Sequence, residues 1–356
     1  AMLEHVLEMW ERVDPAGLPP GVEHSQVLEA AADAACWAVE PTRGHRMVEA
    51  VLAELDPAVD GQRVAAMLLQ RAMMRQQQMH AGELDDLQTA LRLSAGPSPQ
   101  RAETLGQLCR ALYLHGRVDE CGPLVAELSS LAVRLGEQEW TVEAWVAEAL
   151  ARSPHDAGTI SLLRRALHAA EAISSGRLEM IARVALADLL DARGEYAAAV
   201  TTARSAWQRA SQLGQARYIG ASVAQWLARS LLAVGQWDDA VEVIGEALNL
   251  DPSPLGRAQL SLVSGQIACA RGNVDTAERC LQFLRAAQPG PQDAPRRAAM
   301  AAQLSIETSL VRGDPAAAIA ACREIETLRG TLQPRDLWPL IAAAWRACSE
   351  GKGGEA

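Results

Sequence analysis

Small apolar residues recur at fixed distances from a polar turn along most of the chain. In each copy a glycine ends a helical stretch, polar residues usually follow it, and in the later copies an alanine stands five positions after the glycine. The turn glycines are Gly82, Gly116, Gly194, Gly235, Gly272 and Gly313, with Gly44 expected as the first copy. Their spacings are 38, 34, 78, 41, 37 and 41 residues, and a degenerate turn at 153–156 divides the longest gap. Repetition at this period predicts a solenoid.

Each part of the repeat has a physical reason. A glycine can adopt the left-handed conformation that ends a helix and reverses the chain. The residue five after the glycine and a second one seven before it are small, which lets two helix backbones approach closely. The positions seven before the glycine are Cys109, Ala187, Ala228 and Gly265. Cys109 and Cys121 fill both small-residue positions of one repeat, so we expect the two thiols to lie together.

These features predict an all-α fold, a right-handed superhelical solenoid of about eight antiparallel helix pairs. The pairs are expected from Val27 to Arg329, with capping helices at both ends. We treat 1–350 as a single solenoid domain, with a soft joint near 289–295 where proline and glycine cluster. Residues 351–356 are expected to form a flexible tail.

Composition supports helices over strands. Hydrophobic residues make up 49% of the 356 residues, but only 4% are aromatic. A β-sandwich or barrel uses more aromatic and β-branched residues, whereas alanine, leucine, arginine and glutamate favour helices. The hydrophobic content is high enough to bury a large core.

Charge and cysteine content exclude several classes of function. The chain has 33 basic and 44 acidic residues, a net charge of −11, which disfavours direct binding of nucleic acid. Its single lysine is Lys352, so a phosphate-binding lysine of the Walker A type is absent. There is no run of 18 apolar residues, and the seven cysteines lack metal-ligand spacing. We therefore expect a cytoplasmic protein with no membrane span, no metal and no cofactor of its own.

The repeat resembles the tetratricopeptide family. The likeness is clearest in one copy, at Ala228, Gly235, Trp237, Ala240, Ala247 and Pro252. The resemblance implies that the first helix of each pair lines a concave groove that contacts other molecules.

The ends of the chain resemble a more particular region. The stretches are 7–13, 27–31, 52–57 and 63–69 near one end, with 312–315 and 336–344 near the other. They are similar to the helical-repeat part of large ATP-binding regulators of the LuxR family, relatives of the maltose-regulon activator. The resemblance implies a regulatory segment whose partners are its own ATPase and helix-turn-helix domains, with ATP bound in the missing N-terminal module. A small-molecule or protein effector, and a homodimer, are further partners left open.

One polar series is the candidate binding site. The residue six before each turn glycine should face the groove, and the residue four earlier shares that face. The series comprises Gln76, Arg110, Trp145, Asp188, Gln225, Arg229, Gln266, Gln303 and Glu307. One interpretation is an ordinary solvated inner surface; the other is a groove for a peptide, a neighbouring domain or a small effector.

Three functions are therefore weighed. The first is the regulatory segment just described, and the second is a stand-alone adaptor that binds partner peptides. The third is an α-helical enzyme, favoured only by Asp238, Asp239 and Glu242, whose spacing resembles a magnesium–diphosphate motif. The two aspartates fall where a helix begins, and a helix start attracts acidic residues for its dipole. We expect no catalysis. An exposed tryptophan patch near either end would mark the docking surface of a missing domain.

Overall fold

Helix follows helix throughout the computed structural model, which describes residues 2–10, 12, 23–37, 40–286, 295–326 and 334–353. This part of the chain contains eighteen α-helices and no strand. The helices are α1 Met2–Trp10, α2 His24–Trp37, α3 Pro41–Glu54, α4 Gly61–Gln78, α5 Glu83–Leu93, α6 Pro99–Leu114, α7 Cys121–Leu135, α8 Gln138–Ala151, α9 Thr159–Ala172, α10 Gly176–Ala192, α11 Tyr196–Gln212, α12 Ala216–Ala233, α13 Trp237–Asn249, α14 Pro254–Ala270, α15 Val274–Ala286, α16 Pro295–Val311, α17 Pro315–Glu326 and α18 Pro334–Gly353.

Helices α2 to α17 form eight antiparallel pairs, with α1 and α18 at the two ends. Each helix packs against its partner and against the next pair, so a continuous series of apolar clusters runs along the solenoid. The predicted all-α solenoid is confirmed. The proposed joint at 289–295 lies almost entirely outside the described residues, and α18 includes the first three residues of the predicted tail, 351–353.

The repeated turn has the predicted geometry. The six turn glycines from Gly82 to Gly313 have φ values between 72° and 91°, the left-handed region that a glycine enters without strain. The residue five after each of them is fully buried: Leu87, Cys121, Ala199, Ala240, Ala277 and Ala318. The cysteine pair is also adjacent, since the Sγ of Cys121 lies 3.7 Å from the carbonyl oxygen of Cys109.

Gly44 is an exception, and its assignment as the first turn glycine is wrong. It lies inside α3, three residues after the proline that begins the helix. A Cβ at this position would come within 2.5 Å of the terminal methyl carbon of Met74. Gly44 therefore provides space for a side chain from α4, and α3 has already begun, at Pro41, before Gly44 is reached. The degenerate turn at 153–156, in contrast, does join α8 to α9.

Candidate functional site: a central cavity

The solenoid closes on itself after one turn. The C-terminal end of α4 meets the beginning of α14, where the hydroxyl of Ser253 donates a hydrogen bond to Oε1 of Gln77 at 2.5 Å. Met79, the residue that caps α4, belongs to the same buried apolar cluster as Ala258 and Leu284. The concave face of the intervening repeats thus surrounds a central space, and the groove predicted from the repeat becomes a cavity of about 500 Å³ that remains open to solvent.

The walls of the cavity come mainly from the first helices of the pairs, namely α4, α6, α10, α12 and α14. On each of these helices the lining positions are three, four or seven residues apart, which places them on one face. Glutamine amides recur around the wall, at Gln70, Gln76, Gln77, Gln100, Gln107, Gln215, Gln225 and Gln259. Apolar side chains fill much of the remainder, including Met73, Met79, Met180, Ile181, Val184, Leu255 and Met300.

Four members of the predicted polar series line this cavity. They are Gln76, Arg110, Asp188 and Gln225, one from each of α4, α6, α10 and α12. The amide of Gln76 donates to Glu83 at 3.0 Å, and Asp188 accepts a hydrogen bond of 2.7 Å from the hydroxyl of Tyr113. The structure therefore brings together residues that are spread over 150 positions of the sequence.

The remaining members of the series lie elsewhere. Gln266 and Glu307 line a second cavity of about 240 Å³ beside Arg346, and Gln303 donates to Glu307 at 2.8 Å. Burial raises the pKa of Glu307, and the hydrogen bond from Gln303 only partly offsets this effect. This second group lies near the C-terminal end, where α18 packs on α16.

Trp145 and Arg229 are absent from both cavities. Trp145 packs against the apolar core, with the guanidinium carbon of Arg165 3.8 Å from its ring centre. Arg229 forms an ion pair of 3.0 Å with the buried Asp191. The sequence rule used the same offset from the turn in every repeat, so it did not distinguish Trp145 and Arg229 from the residues that line the cavity.

A buried charge cluster lies beneath the cavity and was not predicted from the sequence. Glu143, on α8, is fully buried, accepts a hydrogen bond from Arg110 and forms an ion pair of 3.3 Å with Arg177. Arg177 also pairs with Glu139 at 3.2 Å, and Arg110 donates to Gln107 at 2.8 and 3.2 Å. Burial alone would raise the pKa of Glu143, but the two guanidinium groups outweigh it and lower that pKa.

Gly106 makes this burial possible. A Cβ at Gly106 would come within 2.7 Å of the carboxyl carbon of Glu143, so only glycine leaves space for the carboxylate against α6. Helix α8 contributes little to the cavity wall itself, because Arg110 and Arg177 extend over it from the neighbouring helices.

Glu103 is the other carboxyl group near this cluster. It lines the cavity on α6, seven residues before Arg110, and makes no hydrogen bond or ion pair within the described residues. Burial raises the pKa of Glu103, and the charge of Arg177 reduces the shift without removing it. Counting back three and seven residues from Arg110 along the same helix face would have identified both Gln107 and Glu103.

The acidic residues that resemble a magnesium–diphosphate motif do not converge on a site in this structure. Asp238 lies in the first turn of α13, almost fully exposed, and pairs with Arg271 at 2.5 Å. Asp239 is 3.9 Å from Arg204. Within the described ranges, no three histidine, cysteine or acidic side chains converge as a metal site would require. None of the described helices combines the length and apolar character needed to cross a bilayer.

Comparison with known proteins supports the fold. No family model matches this chain, and no curated protein matches it. Among solved structures, a Rap protein complexed with competence and sporulation factor is similar with a TM-score of 0.63 and 12% identity, covering 98% of this chain and 97% of that one. A STAND-type ATPase with a tetratricopeptide repeat sensor from Pyrococcus horikoshii aligns at 12% identity with a TM-score of 0.49 over 98% of this chain and 52% of that one. Yeast Tom70 aligns at 13% identity with a TM-score of 0.36 over 92% of this chain and 89% of that one. The chain has a tetratricopeptide-like helical repeat fold.

Proposed function

We propose that this chain is the effector-sensing segment of an ATP-dependent transcriptional regulator of the LuxR family, and that the effector binds in the central cavity. The observation that carries this proposal is the contact between α4 and α14, which converts the concave face into a cavity. A cavity of about 500 Å³ is in the range that holds a drug-sized ligand.

The closure also supplies a mechanism. A ligand in the cavity contacts helices on both sides of the α4–α14 contact, so it favours the closed arrangement over any arrangement in which the ring is open. The shift can be no larger than the difference between the ligand's affinities for the two arrangements, and coupling energies of this kind are about 1–3 kcal/mol. In the proposed regulator this change would reach the ATPase and helix-turn-helix domains, with ATP bound by the ATPase and all components in the cytoplasm.

The exposed face of α18 is the proposed contact with a neighbouring domain. Trp338, Ile341 and Trp345 are three and four residues apart and therefore share one side of the helix. Trp338 is 65% exposed and Trp345 is 75% exposed, which is unusual for tryptophan. An exposed apolar stripe of this kind is typical of an interaction surface.

The proposal is tested by hydrogen exchange on this chain with and without a low-molecular-mass extract of the source cells. We expect added protection at the ring contact, in 75–80 and 252–258, and none in α1. In the complete regulator, the same extract should change the rate of ATP hydrolysis. Replacing Trp338 and Trp345 with alanine should abolish that change and leave the protection at the ring intact. Absence of protection at the ring in any extract would refute cavity sensing.

A stand-alone adaptor is the second candidate, and the stripe on α18 also favours it. An adaptor would bind a partner protein through Trp338 and Trp345 without any response at the α4–α14 contact. The two candidates therefore differ in hydrogen exchange. An adaptor shows protection on α18 when its partner binds, whereas a sensor shows protection at 75–80 and 252–258 when its effector binds.

A further inference from the structure

Carboxylates outnumber cationic groups around the central cavity. Its wall carries Asp33, Glu83, Glu103 and Asp188, and Glu139 and Glu143 lie beneath it. The positive groups facing them are Arg110, Arg177 and, when protonated, His115. The region therefore has a negative formal charge whatever the state of His115, and a ligand of the same sign would be repelled.

The two arginines already form hydrogen bonds and ion pairs with other side chains of the protein. Arg110 directs its donors to Glu143 and Gln107, and Arg177 is shared between Glu139 and Glu143. Three carboxylates thus surround two guanidinium groups, and Glu103 is the one that receives no hydrogen bond. An anionic ligand at either guanidinium group would also approach the carboxylates of Glu139 and Glu143, which carry the same charge.

Two buried amide oxygens at the cavity wall have no hydrogen-bond donor. Gln225 is 2% exposed, and its Oε1 has no hydrogen-bond donor. The Oε1 of Gln70 is likewise buried without a donor, while the amide of Gln70 points to Asp33 at 3.5 Å. Together with the carboxylate of Glu103, these atoms form an acceptor-rich wall. Burying such groups without donors is unfavourable, so a ligand that supplies N–H groups would relieve the cost.

We infer that the cavity binds a cationic ligand, a primary amine or guanidinium on an apolar body, with its charged end at Glu103. This inference rests on the proposed function, since it assigns a chemical class to the cavity's effector. The apolar body would lie against Met180, Ile181, Val184 and Met300. The amino group can belong to a small amine or to the free N-terminus of a short peptide.

Matched probes test the ligand class. The compounds 4-phenylbutylamine, 4-phenylbutyrate and 4-phenylbutanol share one apolar body and differ only in the terminal group. We expect the amine to bind at least about 10-fold more tightly than the other two by calorimetry at neutral pH. A second arm compares phenylalanyl-leucine amide with its N-acetylated form, and a preference for the free amino terminus that exceeds the preference for 4-phenylbutylamine indicates a peptide source.

Two variants test whether the charged end of the ligand lies at Glu103. Glu103→Gln should weaken binding of the amine about 10-fold and leave binding of the alcohol unchanged. The variant should fold, because it removes a buried carboxylate that has no partner. Glu246→Gln, which makes the same charge change on the exposed side of α13, is the control and should leave all affinities unchanged.

The outcomes separate this inference from the proposed function. Equal or tighter binding of the acid or the alcohol, no binding of the amine, or unchanged amine affinity in Glu103→Gln would each refute a cationic ligand. Cavity sensing would still stand in those cases if a cell extract protects 75–80 and 252–258. Tight amine binding without any protection there would support the ligand class and refute the sensing mechanism.

Discussion

Ser253 and Gln77 are 176 residues apart in the sequence, yet the hydroxyl of one donates a 2.5 Å hydrogen bond to the side-chain oxygen of the other. Ser253 is also the N-cap of α14, where its oxygen accepts from the backbone N–H of Gly256 at 3.3 Å. One side chain thus starts a helix and joins it to a distant repeat. This contact converts a curved array into a ring with an interior.

The ring contact should be separable from the rest of the fold. Met79 is buried in the cluster across this contact and has φ 59°, so it combines a strained backbone with a buried side chain. Met79→Ala should cost about 2 kcal/mol of unfolding free energy and increase the radius of gyration measured by X-ray scattering. Val133→Ala, at a position 83% exposed, is the control and should change neither quantity. An unchanged radius of gyration would show that the remaining contacts keep the ring closed.

Two glycines within helices should respond oppositely to alanine. Gly106→Ala would place a methyl group against the buried carboxylate of Glu143, and overpacking of this kind costs about 1–3 kcal/mol. Gly245 lies in the middle of α13 with no atom near the position of a Cβ. Gly245→Ala should therefore stabilise the protein by about 0.5–1 kcal/mol through helix propensity alone. Urea denaturation of both variants checks the sign, and a stabilising Gly106→Ala would contradict the contact with Glu143.

Much of the fold could be predicted because the repeat depends on contacts between segments that are close together in the sequence. The turn glycines, the small residues around them and the helix-forming composition each describe contacts between neighbouring segments. Gly44 shows where such rules are insufficient. Its position fits the period, but its role is to accommodate Met74, and that contact depends on how two pairs stack.

The site was less predictable for the same reason. The polar series identified Gln76, Arg110, Asp188 and Gln225, since the first helix of each pair faces inward. It could not indicate that the groove closes, because closure depends on the small rotations at the five steps between the six pairs from α4 to α15. Glu143 was not predicted because the pairing of one buried carboxylate with two arginines occurs in a single repeat. It therefore produces no recurring pattern in the sequence.

Glu143 should contribute to stability only above acidic pH. Its pKa is lower in the folded protein than in the unfolded chain, where a glutamate has a pKa of about 4.3. The stabilisation is therefore complete above that value and is lost as the pH falls through the lower folded pKa. Glu143→Gln should cost about 3 kcal/mol at neutral pH, because it leaves two guanidinium groups without their shared partner. Denaturation of both proteins across this range should show the difference shrinking toward acid, and a constant difference would contradict the ion pairs.

Glu307 should show the opposite sign. Burial raises its pKa in the folded state, so the folded protein loses stability as the pH rises from the unfolded value toward the raised one. Glu307→Gln removes the charge and keeps a hydrogen-bonding group near Gln303. The variant should match the parent protein in acid and be more stable at neutral pH. Melting temperatures measured at both pH values test this, and a less stable variant at neutral pH would indicate that Arg346 compensates the charge.

Binding of an amine at Glu103 should release a proton. The groups around this carboxyl are Arg110 on its own helix, Arg177 on α10, and Glu139 and Glu143 on α8. Burial and the two glutamates raise the pKa of Glu103 by more than the two arginines lower it. Below that raised value the free carboxyl carries a proton, which the ammonium of 4-phenylbutylamine must displace. The affinity should therefore rise with pH until Glu103 is ionised in the free protein and then level off, provided the amine stays protonated. Calorimetry in two buffers of different ionisation enthalpy gives the number of protons released. Glu103→Gln should release none, whereas equal heats in both buffers for the parent protein in acid would place the ammonium away from this carboxyl.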